Sequence, residues 1–199
     1  GRWTRNIGAV GHDRVGFTHF VDSANRLWMG YWDGHIGLPL EGRLYSTGEP
    51  GLGGVNAILE TSHGLFAAGT NGLAVFRDST FQMLVFADQP QPRAVAGIVE
   101  SRNGDLWLNA ARGIVHVGAD ELRAALREPR HAMQSELIAE SDVVGLRPEW
   151  LPSATAARDA DGNLWFAMLN GVVYFNPERP IAPRRSPIPS TTSRDNRAA

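Results

Sequence analysis

A bulky aromatic residue followed six positions later by glycine occurs four times in this chain. The pairs are Trp28 and Gly34, Phe66 and Gly72, Trp107 and Gly113, and Trp165 and Gly171. Each pair sits in one frame: a turn, Leu-aromatic, a short second turn, then another apolar run. The leading segments read Asp22-Ser-Ala-Asn-Arg-Leu-Trp28, Glu60-Thr-Ser-His-Gly-Leu-Phe66, Ser101-Arg-Asn-Gly-Asp-Leu-Trp107 and Asp159-Ala-Asp-Gly-Asn-Leu-Trp165. A fixed period sets the architecture, because each unit buries its apolar face only against its neighbours. The repeated aromatics and glycines are therefore structural anchors before they are anything else.

The anchors are spaced by 38, 41 and 58 residues. Spacings of roughly forty, with several short strands per unit, fit the blades of a β-propeller. The expected fold is all-β: about four propeller blades, part of a larger propeller, with one short helical insertion. In the third copy, residues 94–100 read as a first strand, 101–105 as a turn, 106–109 as a second strand and 114–117 as a third. Gly104 suits positive φ in that turn. Asn25 holds the same column in the first copy, and Asn tolerates the left-handed region best after Gly. The second copy places His63 there with Gly64 next, so a rearranged turn is expected. Outer strands are expected at residues 42–46 and 80–86.

The longest spacing requires an insertion. Leu122, Ala125 and Leu126 recur at helical spacing, Asp120 and Glu121 occupy the first turn, and Pro129 ends the run. This predicts a helix over 119–128, followed by an outer strand within 133–138. The expected organisation is residues 1–16 as the outer strand of a preceding blade plus a connection, 17–48 as blade 1 and 55–89 as blade 2. Residues 94–147 make blade 3, 152–178 blade 4, and the Pro- and Arg-rich 179–199 a linker or disordered tail. A strand around Trp3 is a candidate to complete blade 4. A chain opening at Gly1 without Met is expected to be a processed or excised segment.

Composition excludes several chemistries. All nineteen basic residues are Arg, which removes lysine-dependent phosphate loops, Schiff bases and Ser-Lys pairs. There is no Cys, so thiol catalysis and thiolate metal sites are absent. A net charge of −2 offers no broad basic field for nucleic acid. No apolar run approaches the ~20 residues that span a bilayer. The six His form no His-x-x-x-His pair, and no metal or cofactor is expected. Asp159-Ala-Asp-Gly-Asn163 resembles the start of a calcium loop, but Asn170 stands where the bidentate Glu belongs.

The frame Asp-x-x-Gly-x-Leu-Trp, continued six residues later by Gly-hydrophobic-x-x-Phe, resembles the two-component regulator propeller repeat. Residues 159–177 match it best, 101–117 match apart from Ser101 and Val117, and the resemblance spans residues 17–177. It implies the extracytoplasmic sensor region of an inner-membrane regulator, with a histidine kinase, cyclase or DNA-binding output elsewhere in the parent chain. The periplasm is the implied location.

Residues that break the repeat are the candidates for ligand contact. Propeller ligands commonly meet the loops at one mouth of the channel. On that side lie Tyr31, Trp32, Asp33 and His35, then Arg93, Arg112, Glu149 and Trp150. Aromatic and Arg side chains at a rim suit carbohydrate or anionic ligands. The expected function is non-catalytic sensing of a small molecule or oligosaccharide, with missing blades or a second copy as partners. Two alternatives stand beside it: a lyase of the streptogramin type, built from similar repeats, and a scaffold for protein binding.

Overall fold

The computed structural model describes residues 16–40, 43–46, 51–87, 91–139, 155–169, 171–178 and 184–186. Four four-stranded antiparallel sheets follow one another along the chain. The first is β1 (Gly16–Val21), β2 (Leu27–Tyr31), β3 (Ile36–Leu40) and β4 (Arg43–Ser46); the second is β5 (Val55–Thr61), β6 (Gly64–Gly69), β7 (Gly72–Arg77) and β8 (Thr80–Met83). After β9 (Val85–Phe86), the third sheet takes β10 (Gly97–Glu100), β11 (Leu106–Ala110) and β12 (Gly113–Val117). The chain then inserts α1 (Ala119–Arg127) and β13 (Ala132–Met133) before β14 (Glu136–Ala139) closes that sheet. The fourth sheet is β15 (Ala156–Arg158), β16 (Leu164–Met168), β17 (Gly171–Phe175) and β18 (Arg184–Ser186). The first strands meet in chain order, β1 against β5, β5 against β10 and β10 against β15. This is the meander of a β-propeller, each sheet a blade with its first strand innermost.

Three details differ from the sequence expectation. The first strand of blade 3 starts at Gly97 rather than Ala94, because Ala94 turns to φ 47. The Ala94 and Val95 amides donate to Thr70 O and Gly69 O of blade 2. The expected outer strand over 133–138 divides: Ala132–Met133 pairs parallel with Val85–Phe86, and only Glu136–Ala139 joins β12. Arg184–Ser186, within the expected tail, pairs with Val172, Val173 and Tyr174 as the outer strand of blade 4. The expected Trp3 strand lies outside the described residues.

The first turns of blades 1, 3 and 4 share one hydrogen-bond pattern. Asp22 N donates to Arg26 O and Asn25 N to Asp22 O; the equivalents are Ser101 with Asp105 and Gly104, and Asp159 with Asn163 and Gly162. The third turn residue takes φ 59 at Asn25, 85 at Gly104 and 87 at Gly162, the left-handed region that Asn and Gly supply at least cost. Blade 2 is one residue shorter here. Thr61 faces Gly64 and Glu60 faces Leu65, whereas Glu100 faces Leu106. Glu60 is thus the counterpart of Glu100, not of Asp22.

Within each blade, side chains alternate between the two faces, and the anchors pack on the next blade. Trp28 meets Phe76 and Phe81 of blade 2 edge-on at centroid distances of 4.8 and 5.7 Å. Phe66 is buried in one cluster with Leu106, Val115 and Val117 of blade 3. Trp107 meets Phe175 of blade 4 edge-on at 4.9 Å. The residue six before the anchor serves the indole. Trp28 Nε1 donates to Asp22 Oδ2 at 2.8 Å, and Trp165 Nε1 donates to Asp159 Oδ2 at 2.8 Å. In blade 3 Ser101 holds that position, and its hydroxyl turns instead to Asn103 and Asp105 O. The buried Trp107 Nε1 consequently has no hydrogen-bond partner among the described residues.

The displaced carboxylate in blade 3 anchors the insertion. Asp105 accepts from His116 Nε2 at 3.0 Å and from the Ala119 amide at the start of α1 at 2.8 Å. An acidic group there also suits the positive end of the helix. Leu122 and Ala125 of α1 are buried, and Arg77 of blade 2 donates to Leu126 O. With the β9–β13 pair, these contacts fasten the insertion of blade 3 onto blade 2.

The carboxylate–indole pairs generate two expectations. Trp28→Phe removes one of two donors to the buried Asp22 Oδ2 and leaves Arg26 Nε, whereas Trp107→Phe removes an N–H without a partner among the described residues. Urea unfolding is expected to show Trp28→Phe costing ~1 kcal/mol more than Trp107→Phe. Equal costs contradict the assignment. For Asp159, hydrogen bonds from the Asn163 and Trp165 side chains outweigh the opposing effect of burial and lower its pKa to about 2. Burial raises the pKa of Asp22, but bonds from Trp28 and Arg26 overcome that and hold it below the ordinary value. A folded pKa below the unfolded value of about 3.9 stabilises above that pH and is lost on acidification. The thermal midpoint is therefore expected to fall as pH drops from the unfolded carboxylate range toward about 2, and to fall less steeply in Asp159→Asn.

Candidate ligand site on the inner strands

The second turn of each blade lies on the same side as the connections between blades. In blades 2, 3 and 4 this turn holds two residues, between Gly69 and Gly72, Ala110 and Gly113, and Met168 and Gly171. Blade 1 is longer. Tyr31 N donates to His35 O at 2.9 Å across three residues, and Gly34 takes φ 91, as a three-residue hairpin loop requires. Tyr31 is fully buried, while Trp32 is half exposed and meets Phe17 edge-on at 5.1 Å. Asp33 Oδ1 accepts from the His35 amide at 3.2 Å and lies 3.1 Å from its Nδ1.

Arg93 and Arg112 are both exposed and belong to blade 3, where Ala111 N donates to Arg93 O. Between these two groups lies the turn of blade 2, where Asn71 Nδ2 donates to Gly51 O at 3.0 Å. The fold thus puts Trp32, Asp33 and His35 together at blade 1, with Arg93 and Arg112 apart at blade 3. Glu149 and Trp150 lie outside the described residues.

A cavity of about 200 Å³ opens at the opposite end of the inner strands. Its lining comes from three blades: Leu59 and Glu60 of β5, Ile98 to Glu100 of β10, and Ala156 to Arg158 of β15. The polar groups at this end also join one blade to the next. Glu60 accepts from the Ser23 amide at 2.6 Å and its hydroxyl at 2.8 Å. Glu100 accepts from the Ser62 amide and hydroxyl in the same way. At the third junction Arg158 replaces the carboxylate, and its Nη1 donates to Glu100 O at 2.8 Å. His63 Nε2 donates to Gly104 O at 3.0 Å, and Arg102 donates to Ala160 O.

Buried amides hold the wall from the other side. Asn56 Nδ2 donates to Val95 O at 3.0 Å, and Asn109 Nδ2 donates to Ala167 O at 3.0 Å. At Gly97 the inner strands of blades 3 and 4 approach so closely that an added Cβ would lie 2.9 Å from the Ala156 Cβ. Only glycine permits that spacing. The wall can present carboxylate acceptors and one guanidinium to a polar ligand. Among the described residues no group of three or more His, Asp or Glu is placed to hold a metal ion. The Asp159 carboxylate accepts from Asn163, Asp161 and Trp165 within its own turn.

Glu60, Glu100 and Arg158 escaped the sequence analysis, which aligned Glu60 with Asp22. The available signal was a charged residue ending an otherwise apolar inner strand, with a serine in the preceding blade's turn. That signal crosses between repeats, so aligning the repeats on one another does not display it.

Comparison with solved structures gives the fold a wider context. No family model and no curated protein sequence matches this chain. The extracellular domain of BT3049 from B. thetaiotaomicron, described as a hybrid two-component system, aligns at a TM-score of 0.58 and 18% identity. The alignment covers 81% of this chain and 21% of that one. Virginiamycin B lyase from Staphylococcus aureus aligns at a TM-score of 0.63 and 18% identity, over 92% of this chain and 59% of the lyase. A protein described as a gluconolactonase aligns at 0.59 and 9% identity, over 91% and 69%. The fold is that of β-propellers, a class that includes sensor ectodomains and enzymes alike. The chain spans about a fifth of the sensor ectodomain and 59% of the lyase.

Removing the Asn109 amide takes its buried donor from the Ala167 carbonyl of blade 4, so Asn109→Ala is expected to cost ~2 kcal/mol. Arg158 is exposed, and Arg158→Ala is expected to change stability by less than ~0.5 kcal/mol. Chemical denaturation of the two variants checks the contrast.

Proposed function

We propose that this chain is part of the ligand-sensing, non-catalytic propeller of an extracytoplasmic receptor in a signal-transduction regulator. Its ligand is a small polar molecule or oligosaccharide held in the cavity between the inner strands. The observation that carries this reading is the cavity wall itself, drawn from three consecutive blades. A ligand there touches β5, β10 and β15 at once, and its contacts are the residues that also tie blade to blade. Binding then biases how blades pack, and it shifts a signalling equilibrium by as much as the two states differ in affinity. Likeness to the extracellular domain of a hybrid two-component system supports the sensor role and its placement outside the cytoplasm. Trp32, Asp33 and His35 at blade 1, and Arg93 and Arg112 at blade 3, are candidates for separate ligand contacts on the connection side.

A lyase reading draws on one observation, the alignment with virginiamycin B lyase. One experiment separates the two. The chain is screened for thermal shift against a panel of oligosaccharides and small polar metabolites, and incubated with quinupristin under mass spectrometry. A shift abolished by Arg158→Ala, with quinupristin unchanged, is the expected result. Conversion of quinupristin would overturn the sensor reading, as would a shift that Arg158→Ala leaves intact.

A further inference from the structure

The third junction between blades reverses the charge of the other two. The shared turn pattern aligns Asp22 with Ser101 and Asp159, so Ser23, Arg102 and Ala160 follow in one column. Ser62 joins that column, standing after Glu60 as Arg102 stands after Glu100. In the first two junctions the column serine donates its amide and hydroxyl to the glutamate that ends the next inner strand. At the third junction Arg102 holds the serine position. Arg158, which pairs with Leu164 as Glu100 pairs with Leu106, holds the glutamate position.

Both guanidiniums cross the junction to main-chain oxygens. Arg102 Nη2 donates to Ala160 O, and Arg158 Nη1 donates to Glu100 O at 2.8 Å. A neutral carbonyl leaves the charge of each uncompensated, and a guanidinium has further N–H donors in a rigid fork. Among the described residues neither side chain pairs with a carboxylate. The nearest acidic groups in the chain are committed: Glu100 is held by Ser62, and Asp159 accepts from Asp161, Asn163 and Trp165. The Arg102 amide, at the position from which Ser23 and Ser62 donate, has no acceptor among the described residues.

The fold therefore repeats the donor half of a carboxylate staple and omits the carboxylate. Two exposed guanidiniums and one amide suit a planar anion, which accepts charge-assisted bonds from such a fork. The flanking Glu100 and Asp159 carboxylates favour a single negative charge over a double one, because like charges repel. Arg158 also lines the inner-strand cavity, where Ile98, Val99 and Ala156 offer an apolar wall. The anionic group thus lies at the junction and the body of its molecule in the cavity.

We infer that the junction of blades 3 and 4 binds the carboxylate of a small organic acid between Arg102 and Arg158. The inference rests on the cavity proposed above as the ligand site and gives its ligand a charge. The bound carboxylate takes the place that the Glu60 and Glu100 side chains take in the other two junctions. A ligand there completes the third staple, so its binding ties blade 4 to blade 3.

Calorimetric titration of the full chain with D-glucuronate, D-glucose and inorganic phosphate tests this. Glucuronate is expected to bind about tenfold tighter than glucose, which differs in lacking the carboxylate, and tighter than phosphate. Arg102→Gln and Arg158→Gln are each expected to weaken glucuronate about fivefold, and Arg123→Gln on α1 to leave it unchanged. Arg102→Ser combined with Arg158→Glu rebuilds the serine–glutamate staple; it is expected to keep the thermal midpoint and bind no glucuronate. Absence of glucuronate binding, glucose or phosphate binding as tightly, or binding by the rebuilt staple overturns the inference. Glucose binding that Arg158→Gln weakens and Arg102→Gln does not also overturns it, while the cavity reading stands. Ala157→Phe narrows the cavity and is expected to weaken glucuronate; binding that survives it and still needs both Arg residues keeps the anion site and overturns the cavity reading instead.

Discussion

The structure depends on one contact repeated along the chain, an aromatic side chain of one sheet sunk into the apolar face of the next. A single four-stranded meander has two apolar faces and cannot bury both by itself. Trp28, Phe66 and Trp107 each hand one face to a neighbour. The carboxylate that receives the indole N–H at Asp22 makes this possible in a dry junction, because a Trp carries a donor that burial would otherwise strand. Stability in such an array is close to a sum of blade and junction terms. The Glu60, Glu100 and Arg158 contacts at the inner strands then act as polar registers on an interface whose energy is mainly apolar.

The four sheets, their order and the helix were legible in the sequence, because aromatic–glycine spacing and alternation are local and repeat. The left-handed turn column was legible for the same reason, with Asn25 standing in for Gly104. Two one-residue changes were not, although a rearranged turn at His63 and Gly64 was expected. The longer second turn of blade 1 and the shorter first turn of blade 2 preserve the distance from landmark to landmark while shifting strand register. Glu60 therefore seemed to match Asp22. The pairing of Val85–Phe86 with Ala132–Met133 was also hidden, since it joins segments of different blades and carries no periodic mark.

The candidate site was less legible than the fold. Sequence reasoning weighted rare residues in loops, which led to Trp32, Asp33 and His35 on the connection side. The cavity instead uses residues ending the inner strands, and their meaning emerges only once three blades stand side by side. Tyr31 shows the limit of residue type as a guide: an aromatic in an unusual loop, it is fully buried.

The insertion in blade 3 has a consequence for how the chain comes apart. Blade 2 lends its last strand segment to the parallel β9–β13 pair and its Arg77 to the end of α1, while Asp105 fixes the start of that helix. Peeling blade 3 from blade 2 thus breaks a main-chain ladder and a helix clamp besides the Phe66 junction. Among the described residues the other two junctions show no such strap. The array is divided into a fused central pair flanked by two single blades, so force or denaturant applied to it meets an inner unit that opens last and as one.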